Sequence, residues 1–88
     1  MGHARRRPKR LAERLLQIRK ALGVSQRQMV ERLGVEMPYK NISKYERDQA
    51  EPPINVLLAY ARAANVQLEQ MIDDDQELRL SSLNRLDS

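Results

Sequence analysis

Backbone punctuation constrains this chain more than any other feature. Gly23, Gly34, Pro38, the Pro52–Pro53 pair and Asn65 recur at short intervals, and between them the apolar residues keep a helical period. Glycine or asparagine after a periodic run closes a helix, and proline does not continue one from the inside. The chain can therefore build short helices joined by tight turns, and little else. In KRLAERLLQIRKALG, Leu11, Leu15, Ile18 and Leu22 fall at i, i+4, i+7 and i+11, which is one helical face. That spacing predicts a first helix over residues 9–22, stopped by Gly23. Ser25 and Gln28 form an S-x-x-Q capping box at the start of a second helix over 25–33, with Met29, Val30 and Leu33 as its apolar face and Gly34 as its stop.

After VEM, Pro38 suits the first position of a third helix, expected over 38–47. Ile42 and Tyr45 fall on one side of it. Lys40, Lys44 and Arg47 fall on the other, at i, i+4 and i+7. Like charges at that spacing destabilise an isolated helix by a few tenths of a kcal/mol per pair, so the stripe reads as a face awaiting an anion, the alternative being a solvated basic face. The segment DQAEPP reads as a loop. A fourth helix is expected over 54–64, with Val56, Leu57, Tyr60, Ala61 and Ala64 in register, Tyr60 in the core and Asn65 as the stop. A short fifth helix carries Leu68, Met71 and Ile72. Asp73, Asp74 and Asp75 oppose a helix C-terminal dipole and so mark its end. Residues 76–88, with Leu78, Leu80, Leu83 and Leu86, read as a weak amphipathic helix or a frayed tail. The opening MGHARRRP reads as a disordered basic arm, with His3 an exposed tail residue.

The chain has 88 residues, no cysteine and only three aromatic side chains, all Tyr. Disulfides, thiolate metal sites and cysteine nucleophiles are thereby excluded. A chain this short buries only about 60–65% of its unfolded surface. Its core must come from Leu, Ile, Val, Met and Ala, which suits helices better than sheets. No apolar run reaches ~18 residues and no signal-peptide pattern is visible, so the expected setting is a cytoplasmic one, away from membranes. The Asp73–Asp75 carboxylates diverge and lack a His, so no metal site is expected there, and no cofactor either. Nor is there a nucleophile–base pair or a phosphate-binding Gly loop, and the chain does not read as an enzyme.

Charge is divided unevenly. Residues 1–47 hold 13 Lys/Arg and 4 Asp/Glu, a net +9, and residues 48–88 hold 3 and 8, a net −5. A basic half on a small domain points to a polyanion, and the acidic half argues against a membrane-surface peptide. Two short helices around a Gly-containing turn, the downstream helical stretch carrying the basic stripe, make a helix-turn-helix candidate.

The order and spacing of SQRQMVERLGV, NISKYERDQAEPP and VLLAYARAANVQLEQMI resemble the Cro/phage-repressor-type (Xre-like) helix-turn-helix family of transcriptional regulators over about residues 9–72. The resemblance implies an all-α, five-helix, lambda-repressor-like bundle and double-stranded DNA as partner. It implies a phosphate contact and a bracing role for Gln26, base-reading positions at Tyr39, Lys40 and Lys44, and an ion pair between Arg19 and Glu46 that orients the third helix. It also implies a twofold homodimer, for which the fifth helix and the Leu78–Leu86 tail are the expected surface, since no separate oligomerisation domain follows residue 72. The chain departs from the common pattern in a turn, VEMP, about two residues longer before the third helix.

The expected organisation is therefore a basic arm over 1–8, a DNA-binding domain over 9–72 and an acidic, Leu-spaced tail over 73–88. Lys40 and Lys44 can donate to guanine O6 and N7. Tyr39 can pack on a thymine methyl, bond a phosphate, or pack on its own domain. Arg27, Asn41 and Arg47 are phosphate candidates. Arg5, Arg6 and Arg7 can follow the backbone, enter a minor groove or supply only nonspecific attraction. The competing reading is an antitoxin-like or adaptor module that uses this fold to bind protein through its acidic C-terminal region.

Overall fold

The computed structural model describes residues 8–80. It is all-α, with five helices in the order α1 Leu11–Leu22, α2 Gln26–Leu33, α3 Lys40–Glu46, α4 Ile54–Ala64 and α5 Leu68–Ile72. Arg5, Arg6, Arg7, His3, Leu83 and Leu86 lie outside the described residues.

Each helix ends where its local chemistry changes. Gly23 and Gly34 both sit in the left-handed region, at φ 72° and 71°, and their N–H groups return to the last carbonyls of α1 and α2. A Cβ at either position would meet no atom within 4 Å. Backbone conformation, rather than lack of space, selects glycine at both sites. Asn65 closes α4 the same way at φ 57°. At the start of α2, Ser25 Oγ accepts from Gln28 N–H at 3.1 Å and Gln28 Oε1 accepts from Ser25 N–H at 2.8 Å, completing the capping box.

Three expected boundaries shift. α1 begins at Leu11 rather than residue 9: Arg10 leaves helical geometry at φ −102° and ψ 6°, and the N–H groups of Lys9 and Arg10, ahead of the helix, are bonded to the Asp74 carboxylate at 2.9 and 3.0 Å. Ser25 is the N-cap of α2, so the helix proper starts at Gln26. α3 runs from Lys40 to Glu46, not from 38 to 47. Pro38 stands outside it. Asn41 and Ile42 donate to the carbonyls of Pro38 and Tyr39, three residues back, so the entry is a tight turn with Tyr39 as the flanking residue. At the other end Arg47 leaves helical geometry and Asp48 adopts φ 59°.

The core joins one face of every helix. Leu11, Leu15 and Ile18 of α1 meet Met29 and Leu33, Ile42 and Tyr45, Val56, Leu57, Ala59, Tyr60, Ala61 and Ala64, and Met71. Fully burying a Leu, Ile or Met side chain is worth about 1.5–3 kcal/mol, so these side chains dominate the stability of so small a fold. α1 packs against α3, α4 and α5, while α2 packs against α3 and α4. The alanines of α4 let its neighbours approach closely. Its outer face leaves Ile54 60% and Leu58 40% exposed.

The packing does not stop at residue 72, where the sequence pattern ends the domain. Leu78 and Leu80 lie partly buried against the core. The segment after α5 is also held by Arg14, the most deeply buried charged residue among those described, at 1% exposure. Its Nη1 donates to the carbonyls of Gln70 at 2.9 Å and Asp73 at 2.8 Å, with a longer 3.4 Å contact to Met71, and its Nη2 donates to Gln76 O. A buried cation thus satisfies carbonyls at the C-terminal end of α5. Asp74 reciprocates at the N-terminal end of α1. The backbone donors of Lys9 and Arg10, in that order, hold its carboxyl below the ordinary carboxylate range. Residues 73–80 therefore pack against the helical core.

Tyr60 is fully buried, as expected, and its hydroxyl has no hydrogen-bond partner. Burial, and next the negative charge of Glu46, push its ionisation well above the ordinary tyrosine range, so the group stays a neutral, unsatisfied phenol. An unpartnered buried hydroxyl carries its desolvation cost with no return. Tyr60→Phe should leave the urea midpoint unchanged or raise the stability by about 1 kcal/mol. A loss larger than that would show that the hydroxyl has a partner.

Candidate nucleic-acid interface

The third helix presents two chemically different sides. Ile42 and Tyr45 are buried in the core, while Lys40, Lys44 and Arg47 are exposed. Helical geometry requires this split once i and i+3 face inward, because i−2, i+2 and i+5 then face outward. Arg47 is not wholly loose. Its Nε and Nη2 donate to Ser43 Oγ at 3.1 and 2.6 Å, which folds the guanidinium back along the helix. Asn41 is half-buried beside Ile42.

Behind this helix sits a polar hub. Arg19 of α1 approaches Glu46 of α3 in a forked geometry, Nε to Oε2 at 2.7 Å and Nη2 to Oε1 at 3.1 Å. The Glu46 side chain is 5% exposed and that of Arg19 18%. The remaining donors extend the hub. Arg19 Nη1 reaches Val24 O at 3.0 Å, in the turn between α1 and α2, and Gln26 Nε2 reaches Glu46 Oε1 at 3.2 Å. One carboxylate thereby connects α1, α2 and α3 behind the cationic side. The hydrogen bond to Glu46 is the main reason that the Arg19 guanidinium ionises even higher than a free arginine, against the opposing effect of its own burial. Gln26, expected at a phosphate, bonds Glu46 through its amide and remains half exposed.

A second contact bridges the turn. The Arg27 guanidinium lies over the Tyr39 ring, 4.3 Å from its centroid. This joins the first turn of α2 to the entry of α3 across the VEMP segment. In the free chain Tyr39 packs in part on its own domain through this stack while remaining 36% exposed. Arg19, Ser25, Gln26, Arg27 and Tyr39 line one shallow, open concavity.

Two structurally important side chains escape the sequence reading, and one of them leaves a signal. Arg14 stands three residues after Leu11 and four before Ile18, so a charge interrupts the apolar stripe of α1 and must find partners inside. Asp74 leaves none, because its partners are backbone groups 65 and 64 residues away. Among the described residues, no group of three or more His, Cys, Asp or Glu could hold a metal ion, and no helix is long and apolar enough to cross a membrane.

Comparison with known proteins agrees with this geometry. The family model described as "Helix-turn-helix domain" matches residues 12–75. The chain is 29% identical over 80 residues to the antitoxin HigA1 of Mycobacterium tuberculosis, in strains CDC 1551 / Oshkosh and ATCC 25618 / H37Rv. That match covers 91% of this chain and 52% of the relative, so the chain spans about half the length of the curated relatives it matches. No solved structure gives a significant match.

Proposed function

Since the chain belongs to the helix-turn-helix domain family, we propose that it is a sequence-specific, double-stranded-DNA-binding transcriptional regulator that inserts α3 into the major groove. The observation that carries this reading is the exposed row Lys40, Lys44 and Arg47, backed by the Glu46 hub. A helix with its side chains is about 10–12 Å wide and the B-DNA major groove about 12 Å. A braced short helix can therefore enter with its outward side chains at the base edges. In this assignment Lys40 and Lys44 donate to guanine O6 and N7, while Gln26, Arg27, Asn41 and Arg47 contact phosphates. Arg5, Arg6 and Arg7 extend along the duplex from the basic arm. Lysine lacks the bidentate fork of arginine, so discrimination rests on single donors. A cytoplasmic homodimer on a twofold site completes the proposal, with α5 at its interface.

Salt titration tests it. A dimer making about 6–10 phosphate contacts gives a log–log slope of affinity against salt near −5 to −9, and a slope near zero would remove the reading. Lys44→Ala should cost about 1–3 kcal/mol at one position of the selected site. Equal weakening on all sequences would make Lys44 a phosphate contact instead.

The likeness to an antitoxin favours a second reading, an antitoxin-like or adaptor module that binds protein through its acidic C-terminal region. Asp74 is taken up by the Lys9 and Arg10 N–H groups, which leaves Glu69, Asp73, Asp75 and Glu77 exposed there. Recovery of one tight protein partner, with no shift of duplex DNA at low salt, would favour this reading over the first.

A further inference from the structure

Resting on the reading of α3 as a major-groove helix, we infer that Tyr39 is a positioning residue, whose ring is the platform that aims Arg27 at a DNA phosphate, and not a side chain that reads a base. The Arg27 guanidinium sits 4.3 Å from the Tyr39 ring centroid. That is close contact for a cation on an aromatic face, where the ring quadrupole attracts it. A planar guanidinium lying over a ring offers one face to the ring and keeps its N–H donors on the rim. Among the described residues those donors meet no carboxylate: Arg10 pairs with Glu13 and Arg19 with Glu46, while the Arg27 side chain makes no ion pair or side-chain hydrogen bond besides the stack. The cation is therefore oriented and left without an anion.

Position argues the same way. Arg27 is in the first turn of α2 and Tyr39 flanks the first residue of α3, with Gln26 and Ser25 lining the same concavity. A phosphate running beside an inserted α3 would meet this corner. A tyrosine reading a base would offer a face of its ring to the groove, whereas here the ring, though 36% exposed, is already engaged by Arg27 of α2. The longer VEMP turn acquires a purpose, because it delivers Tyr39 to Arg27. Arginine loses rotamer freedom when it grips a phosphate, and stacking beforehand removes part of that loss before DNA arrives. Tyr39 thus acts on affinity through Arg27, and the base preference comes from Lys40 and Lys44.

The test is a double-mutant cycle on duplex affinity, combined with selection from random duplexes and proton NMR of the free protein. Arg27→Ala should weaken binding about tenfold on all sequences and make the salt slope less negative by about 1. Tyr39→Leu should weaken it about two- to fivefold, Tyr39→Phe should restore it, and the selected sequence should not change. In the Arg27→Ala background Tyr39→Leu should have no further effect. Without DNA, the Arg27 side-chain protons should show an upfield ring-current shift that Tyr39→Leu abolishes and Tyr39→Phe keeps. A changed selected sequence, equal losses in both backgrounds, or an absent ring-current shift would each overturn the inference while leaving the groove reading intact. A wild-type protein that fails to bind duplexes at low salt would overturn both.

Discussion

Arg14→Ala is expected to lower the unfolding free energy by about 3–5 kcal/mol, a large effect for one substitution in so small a domain. The guanidinium is 1% exposed and donates to carbonyls of Gln70, Asp73 and Gln76, with Met71 at the margin. Hydrogen bonds from a charged donor are worth about 1.5–3 kcal/mol each and do not add fully. Truncation also strands the acceptors and opens a cavity where the aliphatic stem packed. The buried Nε lacks a partner, which subtracts from the total. Domains of this size are stable by only about 5–15 kcal/mol, so the variant should be partly unfolded at modest urea. Arg14→Met restores the stem volume without the donors and separates the two contributions. Urea unfolding followed by helical circular dichroism measures both variants. A loss below about 1 kcal/mol for Arg14→Ala would mean that the segment after α5 is held by other contacts.

Glu46→Ala should lower stability by about 2–4 kcal/mol. The carboxylate accepts from Arg19 twice and from Gln26 once, and removing it leaves a partly buried guanidinium without its anion. Removing both partners, as in Arg19→Met with Glu46→Leu, should cost less than Glu46→Ala alone, because no charge is left stranded. That inversion distinguishes a coupled pair from two independent surface charges, whose losses would add. On the proposed reading of α3, Glu46→Ala should also bind duplex DNA more weakly, since Glu46 joins α3 to α1 and α2 behind the outward lysines. An affinity unchanged once folding is secured would show that core packing alone orients the helix.

Several elements of the fold are legible in the sequence because their causes are local. Gly23, Gly34 and Asn65 close helices through their own backbone preferences, and Ser25 and Gln28 cap α2 across three residues. The alternation of Ile42 and Tyr45 with Lys40 and Lys44 follows from 3.6 residues per turn. The Arg19–Glu46 pair is reachable by family resemblance rather than by spacing, since 27 residues separate the partners. The start of α3 escapes for a local reason too subtle to read, a three-residue-back hydrogen-bonded entry in which Pro38 stays outside the helix.

Residue order alone is enough to say where the chain turns, which side of each helix is apolar, and that the basic half carries the outward cations, because propensity, capping and periodicity act within a few residues. Packing of the helices against one another was needed to establish that Asp74 holds the backbone just ahead of α1, that Arg14 fastens residues 70–76, that Gln26 joins the Glu46 hub and that Tyr39 lies under Arg27. Each of these is a polar or aromatic contact between different elements, worth forming only after the helices have packed, and no local period encodes which donor will meet which acceptor once water has been excluded.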